Sequence, residues 1–224
     1  MTKLLRVKRE AQKNRIFLVE DHPVFRDGLK NLLNSESDLT VCGEAGDAHQ
    51  GLKSIIRLKP DLAVVDLGLP GKSGLELIRE IRALKLGTKL LVVSMFDEAL
   101  YAQRVLRAGG DGYVMKQEDP QEIVHAIRDV LGGHIYVSEE VFARGAAPHQ
   151  SPAKASVLDQ LTDSELEVLE GLGLGKSSPA IARQTGLSGA EVATHCKSIR
   201  RKLKLKTTNA LVRYAVCWVE DSRK

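Results

Sequence analysis

The 224-residue sequence predicts two folds in tandem: an α/β domain on a doubly wound, five-stranded parallel sheet, then a small all-α domain of four helices. Three observations point there. Through the first two-thirds, short aliphatic runs alternate with stretches whose apolar residues recur every three or four positions. Beyond about residue 157 only the helical period remains. Charge divides in the same way: residues 1–15 hold six basic and one acidic side chain, residues 16–155 hold 16 and 20, and residues 156–224 hold 11 and 8. An acidic middle joined to a basic end suggests domains with different partners.

The strands are read at Ile16–Val19, Leu39–Cys42, Leu62–Val65, Leu90–Val93 and Tyr113–Met115. Between them, Val24, Leu29, Leu32 and Leu33 form one helical stripe, Leu75, Ile78, Ile81 and Leu84 another, and Ile123, Ile127, Val130 and Leu131 a third. Five short strands alternating with helices in about 120 residues is the size of a flavodoxin-like domain, its sheet covered on both faces. From Ser138 the pattern lapses, and the stretch from Arg144 to Ala153 holds two prolines without periodicity, which reads as a linker. Thr162 and Glu165 are spaced as a capping box and open the first helix of the second domain. Gly173 and Gly175 end it. Ser178-Pro179 begins a short second helix, Gly186 breaks it, Ser188 opens a third that runs to about Leu203, and Thr208 begins a fourth that ends near Trp218. The resulting division is a basic tail over 1–14, an α/β domain over 15–137, a linker over 138–157 and a helical domain over 158–224.

Composition narrows the function classes. With 43% hydrophobic and 28% charged residues the chain can bury a core, and with 4% aromatics that core is mostly Leu, Val, Ile and Ala. No apolar run approaches the roughly 20 residues that span a bilayer, and Met1–Arg15 lacks the apolar centre of a signal peptide, so a cytoplasmic protein with no membrane partner is expected. Cys42, Cys196 and Cys217 are too scattered for a disulfide framework or a zinc ribbon and fit a reducing compartment.

In open parallel sheets, ligands bind beyond the carboxyl ends of the strands. The first strand ends in Glu20-Asp21, the third in Asp66 and the fourth in Ser94, and Lys116 follows the fifth. Three crowded carboxylates raise one another's pKa unless a cation joins them, and hard oxygen ligands suit Mg²⁺. A carboxylate beside a divalent metal, with a hydroxyl and an ammonium at hand, can accept a phosphoryl group by in-line attack.

The stretches Val19-Glu20-Asp21-His22, Asp66-Leu67-Gly68-Leu69-Pro70-Gly71 and Tyr113-Val114-Met115-Lys116, with Ser94 placed 28 residues and Lys116 placed 50 residues after Asp66, resemble a response-regulator receiver domain over residues 15–135. The resemblance implies Asp66 as phosphoacceptor. It implies Mg²⁺ bound by Asp21, Asp66 and the Gly68 carbonyl, with Glu20 acting through a metal-bound water. Ser94 and Tyr113 become the switch pair, Ser94 turning to the phosphoryl group and Tyr113 filling the vacated space. Lys116 pairs with Asp66 and then with a phosphoryl oxygen. The only catalysis implied is Mg²⁺-dependent self-phosphorylation and dephosphorylation at Asp66.

The basic end carries a helix-turn-helix signature, with Ala182 four positions before the turn residue Gly186 and an N-cap at Ser188. Val192, Ile199 and Leu203 mark the inner face of the next helix, and six basic residues with no acidic one lie between Lys197 and Lys206. Residues 158–218 resemble a LuxR-type DNA-binding domain, through Leu161 to Leu169, Ile181-Ala182, Leu187-Ser188, Val192, His195, Ile199 and Lys202-Leu203, and the whole chain resembles the NarL/FixJ family. That places Ala193, Thr194 and Lys197 toward the major groove of double-stranded DNA. The usual Thr-Val-Lys opening of this helix reads Glu191-Val192-Ala193, so affinity leans on Lys197, Arg200, Arg201 and the region around Thr207 and Thr208. Glu191, three residues after Ser188, is expected to cap the helix rather than meet phosphate. Cys196 is expected to be an inert small residue.

The sequence is therefore read as a phosphorylation-switched transcription regulator. A sensor histidine kinase phosphorylates Asp66, a resting receiver covers the recognition helix, and phosphorylation promotes a homodimer on paired half-sites. Two rivals stand beside it. A phosphorylation-independent DNA binder with a vestigial receiver is disfavoured by the complete acidic cluster. A phosphatase is disfavoured by Gly68, where a general acid would stand.

Overall fold

A computed structural model describes residues 13–139, 141–142 and 157–222. The basic tail up to residue 12 and the linker stretch 143–156 lie outside the described residues. Five strands, β1 (Asn14–Val19), β2 (Leu39–Ala45), β3 (Leu62–Val65), β4 (Lys89–Ser94) and β5 (Gly112–Met115), pair in parallel in the order β2-β1-β3-β4-β5. The helices that return the chain are α1 (Pro23–Ser35), α2 (Ala48–Leu58), α3 (Gly74–Ala83), α4 (Glu98–Ala108) and α5 (Pro120–Leu131). This is the doubly wound, flavodoxin-like sheet that the sequence predicts.

Side chains along each strand alternate between two cores. Ile16, Leu18, Leu62, Val64, Leu91 and Val93 pack with α1 and α5. Phe17, Val19, Ala63, Val65, Leu90 and Val92 face the other way, toward α2, α3 and α4. β3 is buried at every residue, which is why it reads as an unbroken aliphatic run. Both faces of the sheet must be dry, so polar chemistry is confined to the strand ends.

A 3-10 turn (Val157–Gln160) leads into α6 (Asp163–Gly173), α7 (Ser178–Thr185), α8 (Gly189–Lys202) and α9 (Thr208–Ser222). Capping sets three of these boundaries. Thr162 and Glu165 form the expected box at α6, Ser188 and Glu191 form another at α8, and Gly186 closes α7 in the left-handed conformation at φ 70°. The stretch expected as a linker borders regular structure on both sides. Glu139, Val141 and Phe142 are helical, with Val141 buried, and Val157–Gln160 already forms the 3-10 turn.

The second domain docks on the α3–α4 side of the first. Leu161, Leu166, Val168 and Leu169 belong to the same continuous apolar cluster as Leu75, Ile78, Phe96 and Tyr101. Consequently α6 is buried nearly all round, from Glu165 to Gly171. At the edge of this interface Asp163 accepts from Arg79 at 2.7 Å and from Arg104 at 3.0 Å, and Arg104 also donates to the carbonyls of Leu158 and Leu161.

Candidate functional site

The sheet ladder itself delivers the acids to one edge. Glu20 N donates to Ala45 O, Asp66 N to Val19 O and Lys116 N to Ser94 O, so each residue is held one step past its strand's last apolar position. The loop after β3 then turns tightly into α3. A Cβ at Gly74 would collide with the Asp66 carbonyl, so no larger residue fits where that helix begins beneath the acid.

At this edge the Lys116 ammonium lies 2.7 Å from Asp66 Oδ2 and 2.7 Å from Glu20 Oε2. All three side chains are only 5–6% exposed. Burial, then the charge of Asp66, pushes the Glu20 carboxyl up, against the pull of Lys116. Burial works against the Lys116 ammonium, yet Asp66 and Glu20 outweigh it and hold its pKa above the ordinary value. Phe25 lies under the ammonium, 4.8 Å from ring centroid to nitrogen. Arg26 donates to the Glu20 carbonyl at 2.6 Å, and His22 Nδ1 lies 2.8 Å from Asp21 Oδ1.

One oxygen or nitrogen from each of Glu20, Asp21, His22 and Asp66 falls within 4.8 Å of the others. Asp21 and Gly68 line the same cavity as Asp66, Ser94 and Lys116. Two of these carboxylates, Glu20 and Asp66, share one ammonium and Asp21 stands beside them, and this surplus of hard, negative oxygen fits a divalent cation. Ser94 is buried, its Oγ accepting from Phe96 N at 3.5 Å. Tyr113 is also buried, and its hydroxyl donates to Phe96 O at 2.8 Å. The expected movement of Tyr113 into space vacated by Ser94 therefore starts from a ring already inside.

Val192 and Ile199 are buried and Leu203 half-buried, while Ala193, Thr194, Lys197, Arg201, Thr207 and Thr208 are exposed. Arg200 donates to Thr208 Oγ1 at 3.0 Å, and Thr207 Oγ1 caps α9 by accepting from Ala210 N. Glu191 accepts from Ser188 N at 2.7 Å, so its carboxylate is engaged in capping, which holds its pKa below the ordinary value. Burial pushes the Cys196 thiol up, in keeping with an inert residue.

One expectation is corrected. The receiver-like domain does not cover α8. It meets the 3-10 turn, α6 and the segment around α7, where Gly186 sits so close to Pro70 and Gly71 that a Cβ there would overlap their backbone. Sequence reasoning also missed the acids on the far side of α6. Glu167 and Glu170 are buried. Burial, then Asp163, pushes Glu167 well up, and burial and Asp97 push Glu170 up to about 7 against the pull of Tyr101 and Lys176. No local signal marks them, because charged residues opposite an apolar stripe read as a solvated face.

Comparison with known proteins agrees with this architecture. The response regulator receiver domain matches residues 16–128, and the family described as bacterial regulatory proteins, luxR family, matches residues 159–215. The chain is 32% identical over 211 residues to the nitrate/nitrite response regulator protein NarL of Escherichia coli (strain K12), covering 93% of this chain and 95% of that one. A LuxR-family two-component response regulator from Aurantimonas sp. SI85-9A1 superposes with a TM-score of 0.56 at 35% identity, over 59% of this chain and 94% of its own. The response regulator ChrA of a heme-sensing two-component system gives a TM-score of 0.50 at 28% identity, over 92% of this chain and 98% of its own. Among the described residues no helix is long and apolar enough to cross a membrane. With a receiver domain and a luxR-type DNA-binding domain in that order, the chain belongs to the response-regulator family of transcription regulators.

Proposed function

We propose that Asp66 accepts a phosphoryl group from a sensor histidine kinase and that the acylphosphate changes how the DNA-binding domain is held. The observation that carries this reading is the buried bridge of Lys116 between Asp66 and Glu20. An ammonium fixed 2.7 Å from the acceptor oxygen is preorganised for the charge that develops in phosphoryl transfer. Asp21, Asp66 and the Gly68 carbonyl would hold Mg²⁺, with Glu20 supporting it through water. Bound there, the metal would neutralise phosphoryl oxygens. Ser94 is within the same cavity and can donate its hydroxyl to the new group. Tyr113, hydrogen-bonded to Phe96, ties that event to the loop before α4. Beyond this exchange at Asp66 the chain catalyses nothing.

On the DNA side, Ala193, Thr194 and Lys197 face bases from the exposed half of α8, while Arg200, Arg201, Thr207 and Thr208 hold phosphates. In a helix-turn-helix the helix before the turn crosses the phosphate backbone. Here α7 and the Gly186 turn lie against the receiver, so docking obstructs DNA at α7 rather than at α8. Release would free α7 and allow a homodimer to occupy paired half-sites.

The test is intact mass. With Mg²⁺ and acetyl phosphate the chain gains about 80 Da, the mass of one phosphoryl group, and Asp66→Asn gains nothing. A wild-type chain that stays unmodified, or an adduct that persists in Asp66→Asn, contradicts the assignment.

A further inference from the structure

We propose that the cleft between the end of β5, the start of α4 and helices α6 and α9 is a binding site for a small organic cation with an apolar body, such as an aryl-alkyl amine. The cleft is a cavity of about 530 Å³, within the range of about 300 to 1,000 Å³ usual for small-molecule sites. Its apolar lining is Met95, Leu100 and Met115 from the receiver and Leu174 and Val219 from the DNA-binding domain. Met95 and Leu174 are exposed, so the cleft is open to solvent. Methionine side chains shape themselves to varied apolar partners, which suits the carbon skeleton of such a ligand. The charge of the lining has one sign. Asp97 and Glu170 contribute to it, one from each domain, and no basic residue does so among the described residues.

Glu170 sets the cleft apart from an ordinary apolar groove. The residue is only 5% exposed, and its Oε2 has no hydrogen-bond partner among the described residues. A buried polar atom without a partner is a place that a ligand can complete. Burial pushes this carboxyl up to about 7, with Asp97 adding to the shift and Tyr101 and Lys176 opposing it. Lys176 is engaged elsewhere, donating to Gln184 Oε1 at 2.6 Å. Asp97 caps α4 by accepting from Ala99 N at 2.8 Å and brings a second carboxylate to the cleft. An ammonium seated here would pair with Glu170 while its carbon skeleton covers the methionines and leucines. Both acids would repel a ligand carboxylate, and a neutral apolar molecule would leave Oε2 unpaired. An occupant touches both domains and so favours the arrangement in which they meet. None of this depends on Asp66 being a phosphoacceptor.

The experiment is calorimetric titration of the full chain at neutral pH with three probes of one shape: phenylbutylamine, phenylbutanol and phenylbutyrate. One amine is expected to bind per chain, at least about tenfold tighter than the alcohol, as a desolvated charge pair allows, and the carboxylate is expected not to bind. Glu170→Gln keeps the shape and removes the charge, and is expected to bring the amine down to the affinity of the alcohol. Asp97→Asn keeps a residue able to cap α4 and is expected to weaken the amine about threefold, since its partly solvated charge contributes less. Glu167→Gln, on the same helix but outside the cleft, is expected to match wild type. Compact scattering of Glu170→Gln without ligand shows that its cleft is still assembled; if that variant has expanded, Asp97→Asn decides. Equal affinity for amine and alcohol overturns the proposal. So does an amine affinity that Glu170→Gln and Asp97→Asn leave unchanged, that Glu167→Gln weakens as much as Glu170→Gln, or that is absent altogether.

Discussion

The protein buries two groups of carboxylates, and they are built in opposite ways. At the receiver's strand ends, Asp66 and Glu20 share the Lys116 ammonium at 2.7 Å each, in a pocket made by the sheet itself. On α6, Glu167 and Glu170 are buried, Glu170 beside Tyr101 and Asp97 of the receiver, and Glu167 Oε1 has no hydrogen-bond partner among the described residues. Glu165, one turn away on the same helix, does have one: it pairs with Lys202 at 2.6 Å within its own domain and its carboxyl is held below the ordinary range. Compensated burial is permanent, because breaking it strands a charge. Uncompensated burial is tolerable only in a contact that can be given up, since separation returns the acids to water. The difference sets a pocket whose charges are paired inside the receiver apart from an interface that holds Glu167 without such a pair.

This contrast can be broken most forcefully at Lys116. Lys116→Met leaves two buried carboxylates without their cation and is expected to cost about 3 kcal/mol of stability, measured as a lowered denaturant midpoint at pH 7.5. An unchanged midpoint would mean that the ammonium compensates nothing.

The opposite result is expected at the interface. Docking holds Glu170 at about 7, above its ordinary 4.5, so the docked form takes up a proton as it closes. Its favourable contribution is complete below pH 4.5 and is lost as pH rises through 7. Glu170→Gln removes that loss, tightening docking at pH 8 by up to about 3 kcal/mol. Small-angle scattering reads both effects. Wild type is expected to expand between pH 6 and pH 8, and the variant to stay compact. Equal expansion in both would show that Glu170 does not govern the contact.

Much of this was readable along the chain because it depends on neighbours in sequence. Alternating aliphatic runs gave the five strands, and every acid of the receiver pocket stands immediately after one of them. Thr162 with Glu165, and Ser188 with Glu191, are local capping pairs and formed as spaced. What escaped depends on how two domains meet. The periodicity of α6 shows Leu166 and Leu169 facing its own domain, yet nothing in it shows a second surface burying Glu167 and Glu170. Arg104 and Asp163 are 59 residues apart and look like ordinary surface charges until the domains are placed together. Likewise Gly186 is readable as a turn former but not as the point of contact with Pro70 and Gly71.

Charge added at Asp66 is expected to alter the grip of α8 on a duplex. The most direct measurement is the affinity of the full chain for a duplex it has itself drawn from a randomised pool, with and without acetyl phosphate and Mg²⁺, in wild type and Asp66→Asn. Wild type is expected to gain at least about tenfold, equivalent to roughly 1.4 kcal/mol, and the variant nothing. Equal affinity for phosphorylated and unphosphorylated wild type would contradict it.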